Sequence, residues 1–502
     1  MRPEEFGAVS GDDTFDSGPA LNKFFTHCAT HRVDDADISG DWYTKRPIVI
    51  GGAEGPAKTK AYRCGWCRIT AFGGFTGPVV TIKNSTNTNF TGHLEVRGGR
   101  KLGGPPLSDG SRWQDRANSE AIVIGEGCSS PRFDMVSCQH AIRDGFRHAA
   151  PAANGVVSIL KCHDCGVSGH DASHKVTSMI TAAVNLDEAT QKNSANQRAE
   201  LTFDQVPGAL NAEDFALIGG NIHAVMAVDS TAKKVKVYPW VTNNPPLAGQ
   251  TVEWIIGGGL VEVTSGWRFD QVYCVRVAVA LKTMATYPGS YGVCSMLSGY
   301  ANAVIGRPPN LPCLGGNIDV LYTEEGIPIQ VLVTTSADSG SFEFNISSTG
   351  PSLDLNTWHR LIWNEGKGQA LFRLPITANI SGHIYGPGGH GGNVFNEVGL
   401  MPVPSVVLTG EYDNKTVSLQ ATPGAADKFG LQSMMIHAFS PKTQPPGRAP
   451  TGTWKFQPDP GFTVNNRPLG QSVEFSGFTK PGLFVCILDR SSRNWVVYNA
   501  NQ

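Results

Sequence analysis

No apolar stretch in these 502 residues reaches the roughly 18 that a membrane-spanning helix needs, so membrane insertion is not expected. An excess of one charge is missing too. Lys and Arg number 41 and Asp and Glu 43, a net of −2, with no long run of either sign. That gives no basic surface for nucleic-acid phosphates, and no nucleic-acid partner is expected. The N-terminus lacks the charged-then-apolar layout of a secretory leader. Met1 to Gly11 is polar and carries Glu4 and Glu5, so the expectation is folding in a cytoplasm, whatever the later destination. Gly257-Gly258-Gly259 is followed by no Lys-Ser or Lys-Thr, which excludes a phosphate-binding loop. No cofactor is expected.

Gly (58) and Pro (32) are abundant, as are Val, Ile, Thr, Phe and Asn, which points to a turn-rich, all-β chain. The 11 Cys are odd in number and scattered, which suits buried thiols better than a disulfide framework.

The strongest pattern is a register. Val136-Ser137-Cys138, Leu160-Lys161-Cys162 and Val272-Tyr273-Cys274 share the form apolar, any, Cys, and the first two stand 24 residues apart. Continuing by 24 from Cys274 reaches Ser298, Tyr322 and Ile346, each preceded two residues earlier by an apolar residue: Met296, Val320 and Phe344. A 24-residue rung holds three short strands and three turns. Rungs stacked as parallel strands at about 4.8 Å turn each register position into a column. The fold predicted is an all-β, right-handed parallel β-helix. The step from Cys162 to Cys274 is 112 residues, 88 more than one rung, which places an inserted β-rich domain between successive rungs.

Asp16 or Ser17 followed by Pro19 marks a helix start, and Ala20, Leu21, Phe24, Phe25 and Cys28 recur at helical spacing. This short helix is expected to cap the open end of the stack. The organisation read from the sequence is a cap and lead-in over 1–50, rungs over 51–175, the insert over 176–265, further rungs over 266–387, and a C-terminal β-sandwich-like domain over 388–502.

Phe6-Gly7-Ala8-Val9-Ser10-Gly11-Asp12-Asp13-Thr14, the helix, and then Ile38-Ser39-Gly40-Asp41-Trp42-Tyr43 with Arg46-Pro47-Ile48-Val49-Ile50 resemble the opening of pectate-lyase-like β-helices, which include phage tailspikes and tail-associated depolymerases. The ending Asp489 to Tyr498 is similar to phage tail β-sandwich tips. The resemblance implies a homotrimeric tailspike or tail fibre on a virion, attached through a baseplate or adaptor protein. It would bind bacterial surface polysaccharide and, in one reading, depolymerise it. A non-catalytic receptor-binding protein of the same fold is the alternative, and a cellular pectin-type lyase or hydrolase is a third.

Two residues past the Cys column stand His140, Asp164, Arg276, Tyr300 and Glu324. Arg276 suits a sugar carboxylate and Tyr300 a sugar ring, with His140 beside them as a further substrate contact. Glycosidic hydrolysis asks for two carboxyls about 5 Å apart (retaining) or about 6.5–9.5 Å apart (inverting). Asp164 and Glu324, three rungs apart, are about 14 Å distant. Glu324 and Glu325 are adjacent in sequence. Asp134 and Asp270 share a register position two rungs apart, about 9.6 Å. Hydrolase and lyase chemistry both stay open. Cys64-Gly65-Trp66-Cys67 and Cys162-His163-Asp164-Cys165 have a zinc-like spacing, but their separation along the stack and the place of Cys162 in the apolar column make buried thiols the expectation and a metal site not. His170 and His174 read as loop residues.

Overall fold

Strands whose apolar residues recur at one register bury them by stacking on the same positions of their neighbours. A computed structural model of the chain shows such stacking. It describes residues 1–297 apart from 53–54, 73–74, 99–119, 150–153, 167–175, 188–196, 220, 241–245, 264–265 and 286–288. It also describes strand segments between 301 and 439, and 452–501 apart from 459, 480–481 and 490. The described residues are nearly all strand and turn, with one α-helix, Gly18–Thr30, and one short 3-10 helix, Pro3–Phe6. None of the helices is long and apolar enough to cross a membrane. The chain divides into two compact units, Met1–Tyr291 with the short segment 298–300, and the remainder.

The first unit is built on two parallel sheets. In one, Ala36–Asp37 and Gly40–Thr44 both pair with Ala61–Ala71, and Asn89–Arg97, Arg132–Gln139, Val156–His163 and Arg268–Val275 follow in order. The register aligns Cys67, Leu94, Val136, Leu160 and Val272 in one column and Ile69, Val96, Cys138, Cys162 and Cys274 in the next. All ten are buried. The second sheet stacks Ile48–Ile50, Val80–Ile82, Ile122–Ile124, Phe146–His148, Leu260–Glu262 and Val279–Thr283. Its inner column changes character partway: Ile50, Ile82 and Ile124 give way to His148, Glu262 and Thr283, all buried. Glu262 there accepts hydrogen bonds from Trp267 N, Gly289 N, Thr283 Oγ1 and the Tyr291 hydroxyl.

A third buried column is aromatic. Tyr62 stacks on Phe90 and Phe90 on Phe133, with centroids 5.2 and 4.6 Å apart. The next rung offers Val157 at this register. Trp267 fills the gap, lying between Phe133 and Phe269, and the column ends on Tyr291. Gly155 makes room for it, because a Cβ there would run into the indole. At the other end Phe25 of the helix packs on Tyr62, and Phe24 and Phe6 follow. The helix therefore continues the aromatic core past the first rung. Its N-cap is Ser17, as the Asp16-Ser17-Gly18-Pro19 run suggests. The Ser17 hydroxyl is bonded to the Val9 backbone instead, and Asp16 Oδ1 accepts the Gly18 N–H.

Between Val156–His163 and Arg268–Val275, which pair directly, the chain forms a closed six-stranded antiparallel barrel from Thr177–Asn185 through Thr251–Ile255. The barrel ends earlier than the predicted insert. Leu260–Glu262, placed in the insert by the sequence reading, is a strand of the second parallel sheet. Gly257-Gly258-Gly259 is the tight passage into it: Cβ atoms on the three would meet Arg143, Val279 O and Cys274 Sγ.

The barrel does not hang from a tether. Ile142, in a rung corner, belongs to the barrel's apolar core with Leu201, Phe203, Val237 and Trp254. Next to it Arg143, fully buried, pairs with Asp214 of the barrel at 2.8 Å and donates to Asn211 Oδ1 and the Ala209 carbonyl. Lys282, on the stack, reaches the same carboxylate at 3.3 Å, and Arg147 bridges Asp144 and Glu213. Glu120 completes the cluster 3.6 Å from Arg143 Nε.

In the second unit Ala301–Ile305, Ile329–Val333, Arg360–Asn364 and His383–Tyr385 stack in parallel, and Asn317–Thr323 pairs with Glu343–Ile346. Here the predicted register fails. Ile318, not Val320, lies opposite Phe344, and Leu321, not Tyr322, opposite Ile346. The step is 26 residues at Ile318–Phe344 and 25 at Leu321–Ile346, with a register shift between them, where the pattern expects 24. Ser298 lies outside the described residues. Parallel pairing also continues past the expected boundary at 387/388: Ile376–Asn379 pairs with Ser405–Thr409, which pairs with Leu431–Phe439. Lys415–Leu419 pairs likewise with Trp454–Pro458. Antiparallel pairing takes over with Gly482–Asp489 and Asn494–Asn499. The two sheets of this tail meet through Trp454 and Phe456 against Phe484. An alternating strand reads the same in either direction, so the sequence pattern did not distinguish continued stacking from a sandwich.

Candidate functional site

The predicted polar column begins as drawn. His140, Asp164 and Arg276 follow the same register position on successive strands. All three adopt left-handed backbone, with φ of 57°, 54° and 51°, a conformation that turns the chain sharply after each strand. The His140 N–H donates to His163 O and the Asp164 N–H to Val275 O, so each corner is tied to the next rung. Their side chains meet as well. The Arg276 guanidinium grips Asp164 with Nε–Oδ1 2.8 Å and Nη2–Oδ2 3.0 Å, and His140 Nδ1 lies 3.6 Å from Asp164 Oδ2. Asp164 is nearly buried, whereas Arg276 is 58% exposed. A carboxylate held by both oxygens at a sealed corner organises the turn rather than offering itself to a sugar. Tyr300, Glu324 and Glu325 lie outside the described residues, as do His170 and His174.

Asp134 and Asp270 do occupy one register position, since Phe133, Val157 and Phe269 align just before them. Asp134 is exposed and accepts the Gly92 N–H at 2.9 Å, while Asp270 pairs with Arg268 at 2.7 Å. Each therefore has a partner, and standing two rungs apart, with the one strand Val156–His163 between, they are about 9.6 Å from each other along the stack.

The two CxxC pairs do not converge. The rungs carrying Asn89–Arg97 and Arg132–Gln139 separate them. Every described cysteine is buried and outside any disulfide. Burial pushes the Cys64 thiol up to about 12 and also raises those of Cys67 and Cys162 well above the ordinary thiol range, the reverse of what a thiolate ligand needs. Among the described residues no group of three or more His, Cys, Asp or Glu is arranged to hold a metal ion.

The sequence reading missed the outward face of the first sheet. Alternating with the buried columns, Asp41, Arg68, Glu95, Ser137, Lys161 and Tyr273 fall into one line, and Trp66, His93, Met135, Ile159 and Gln271 into a neighbouring one. Arg68 stands at the centre. It bonds Glu95 at 2.8 Å and Asp41 at 3.3 Å, and lies 4.4 Å from the ring centroid of Trp66. Arg97 also holds Glu95, at 2.6 Å, and His93 Nε2 meets Ser137 Oγ at 2.8 Å. Burial acts to raise the Glu95 carboxyl, but the guanidiniums of Arg97 and Arg68 overcome it and keep the group ionised below its ordinary range. Burial lowers His93. Trp66, 51% exposed, and Tyr273, 36% exposed, present open aromatic surface beside this network. The signal was a 27-residue step, Asp41 to Arg68 to Glu95, which a search at 24 passes over. No known family model and no curated protein matches the chain.

Proposed function

We propose that the chain is the body of a phage tailspike-like protein, a right-handed parallel β-helix that binds bacterial surface polysaccharide along the outward face of its stacked strands. The observation that carries the reading is exposed aromatic surface on this face, Trp66 on Ala61–Ala71, with the partly buried Arg68 stacked against it, and Tyr273 four strands further along the same sheet. Aromatic faces pack on the apolar faces of pyranose rings, and guanidiniums fork onto hydroxyls and carboxylates. A polymer running across the stacked strands would meet Trp66 at one end and Tyr273 four strands further on.

Binding without cleavage is favoured over depolymerisation by the state of the described acids on and beside this face. Asp164, Asp270 and Glu95 are each held by arginine, and Asp134 by a backbone N–H. A general acid needs a raised carboxyl near its sugar.

Capsule or lipopolysaccharide from candidate host strains, immobilised and titrated with purified protein, tests the proposal. Trp66→Ala is expected to weaken binding about tenfold, the scale of one lost stacking contact. Unchanged binding by this variant would remove the outward face from the argument. Chromatography of the incubated glycan reports cleavage: new reducing ends would indicate a hydrolase, and an unsaturated uronate a lyase.

A further inference from the structure

The outward face of the first sheet carries a pair of side chains that glycan binding leaves unused. His93 and Ser137 lie diagonally across two paired strands, Asn89–Arg97 and Arg132–Gln139, and meet with Nε2–Oγ 2.8 Å. Both face outward, since Leu94, Val136 and Cys138 beside them are buried in the core. A hydroxyl within hydrogen-bond reach of an imidazole is the nucleophile–base geometry of acyl transfer. Burial holds His93 below its ordinary range. Glu95 opposes this, and Lys161 and Arg68 act with burial, so the ring is neutral at neutral pH and able to take the Ser137 proton.

The surroundings suit a small ester. Along the stack Ser137 stands between Glu95 and Lys161, and on its own strand between Met135 and Gln139. Serine is the shortest of these, so it forms the floor of a narrow depression and is only 4% exposed. The unbranched stems of Lys161 and Met135 are flexible, so an acyl group enters by side-chain rotation with no change of backbone. Met135 and Ile159, paired in register, give a methyl group an apolar wall, and the Lys161 ammonium on the adjoining strand can face a carbonyl oxygen as it gains charge. Trp66, half-exposed, pairs in register with His93. A sugar ring resting on the indole therefore lies one strand, about 4.8 Å, from the base.

We propose that Ser137 and His93 form a dyad that removes O-acetyl groups from the glycan on this face; the choice of glycan rests on the polysaccharide reading, the dyad itself does not. Ser137 Oγ bonds to the acetyl carbon as its proton passes to His93 Nε2. The bond from that carbon to the sugar oxygen breaks, and Nε2 returns the proton to the oxygen. Water then attacks the acetyl-serine and gives a proton to Nε2. Acetic acid leaves as Ser137 Oγ recovers that proton. The glycosidic bonds stay whole.

The test is acetate release by the full chain from para-nitrophenyl acetate and from O-acetylglucose. Both esters should be hydrolysed, the nitrophenyl ester with an initial burst, and the rate should fall in acid with a midpoint below 6.5, the ordinary histidine value. Ser137→Ala should abolish turnover. His93→Gln, which keeps a partner for the Ser137 hydroxyl, should lose about a hundredfold at unchanged melting temperature. A fluorophosphonate should attach to Ser137 of the parent chain, as read by peptide mapping, which needs no variant. Turnover of neither ester, parental rates in Ser137→Ala, or a fluorophosphonate on another residue would overturn the dyad. The nitrophenyl ester carries no sugar. Its hydrolysis by a chain that binds no capsule would remove the glycan and keep the dyad, whereas capsule binding with no acetate released from either ester would remove the dyad and keep the glycan.

Discussion

Arg143 shows how much one side chain holds at the junction of barrel and stack. Its guanidinium is fully buried and faces Asp214, Asn211 and the Ala209 carbonyl. Burying charge is costly, so the pairing adds little net stability, but removing one partner strands the other. Arg143→Ala is expected to lower unfolding free energy by about 3–5 kcal/mol in a denaturant titration. Glu120, in the same cluster, carries the pH dependence. Burial, and after it the charge of Asp144, raises its carboxyl from 4.5 to about 7, against the pull of Arg143 and Arg147. A carboxyl raised on folding stabilises fully below its unfolded value and loses that contribution as pH climbs through the folded one. The thermal midpoint should therefore fall between pH about 5 and about 8, and Glu120→Gln should flatten the fall. An equally steep profile in the variant would place the titration elsewhere.

Among strands, the column Val136–Leu160–Val272 was legible because a shared Cys two residues on fixed its register across the insert. Other columns were not, because the step between rungs varies. It is 27 residues from Arg68 to Glu95, 42 from Glu95 to Ser137 and 24 from Ser137 to Lys161. Connections of different length and register shifts within Ala61–Ala71 and Asn89–Arg97 absorb these differences, so a fixed period finds only the rungs with the shortest step. For the same reason Trp267 escaped notice. It lies one rung out of line with Val157 and fills a gap that becomes visible only in three dimensions. Of the candidate site, the corner trio His140, Asp164 and Arg276 could be read in advance. Its closure into an ion pair could not, since sequence does not say which way a corner side chain turns. Gly155→Ala tests the aromatic column. With the indole in the way of a Cβ, it should cost about 1–3 kcal/mol and red-shift tryptophan emission as Trp267 is displaced. An unshifted spectrum at parental stability would show that the stack tolerates the methyl.

At the level of the whole molecule, the tailspike proposal predicts a homotrimer. Light scattering at micromolar concentration should give three times 53.6 kDa, and a monomeric mass would count against the viral reading. The barrel is expected to resist removal. Replacing Thr177–Ile255 by a short Gly-Ser link would expose Ile142 and leave Arg143 and Lys282 without Asp214. Such a shortened chain should aggregate on expression, whereas a cleanly folded one would mean that the junction matters less than its burial implies.

The direct pairing of Val156–His163 with Arg268–Val275 also sets a timetable for synthesis. Strands up to His163 can zip together in the order they leave the ribosome, each on the one before. The next partner emerges only after the entire barrel has been translated, so until then the edge of Val156–His163 waits unpaired, open to other nascent chains on the same message.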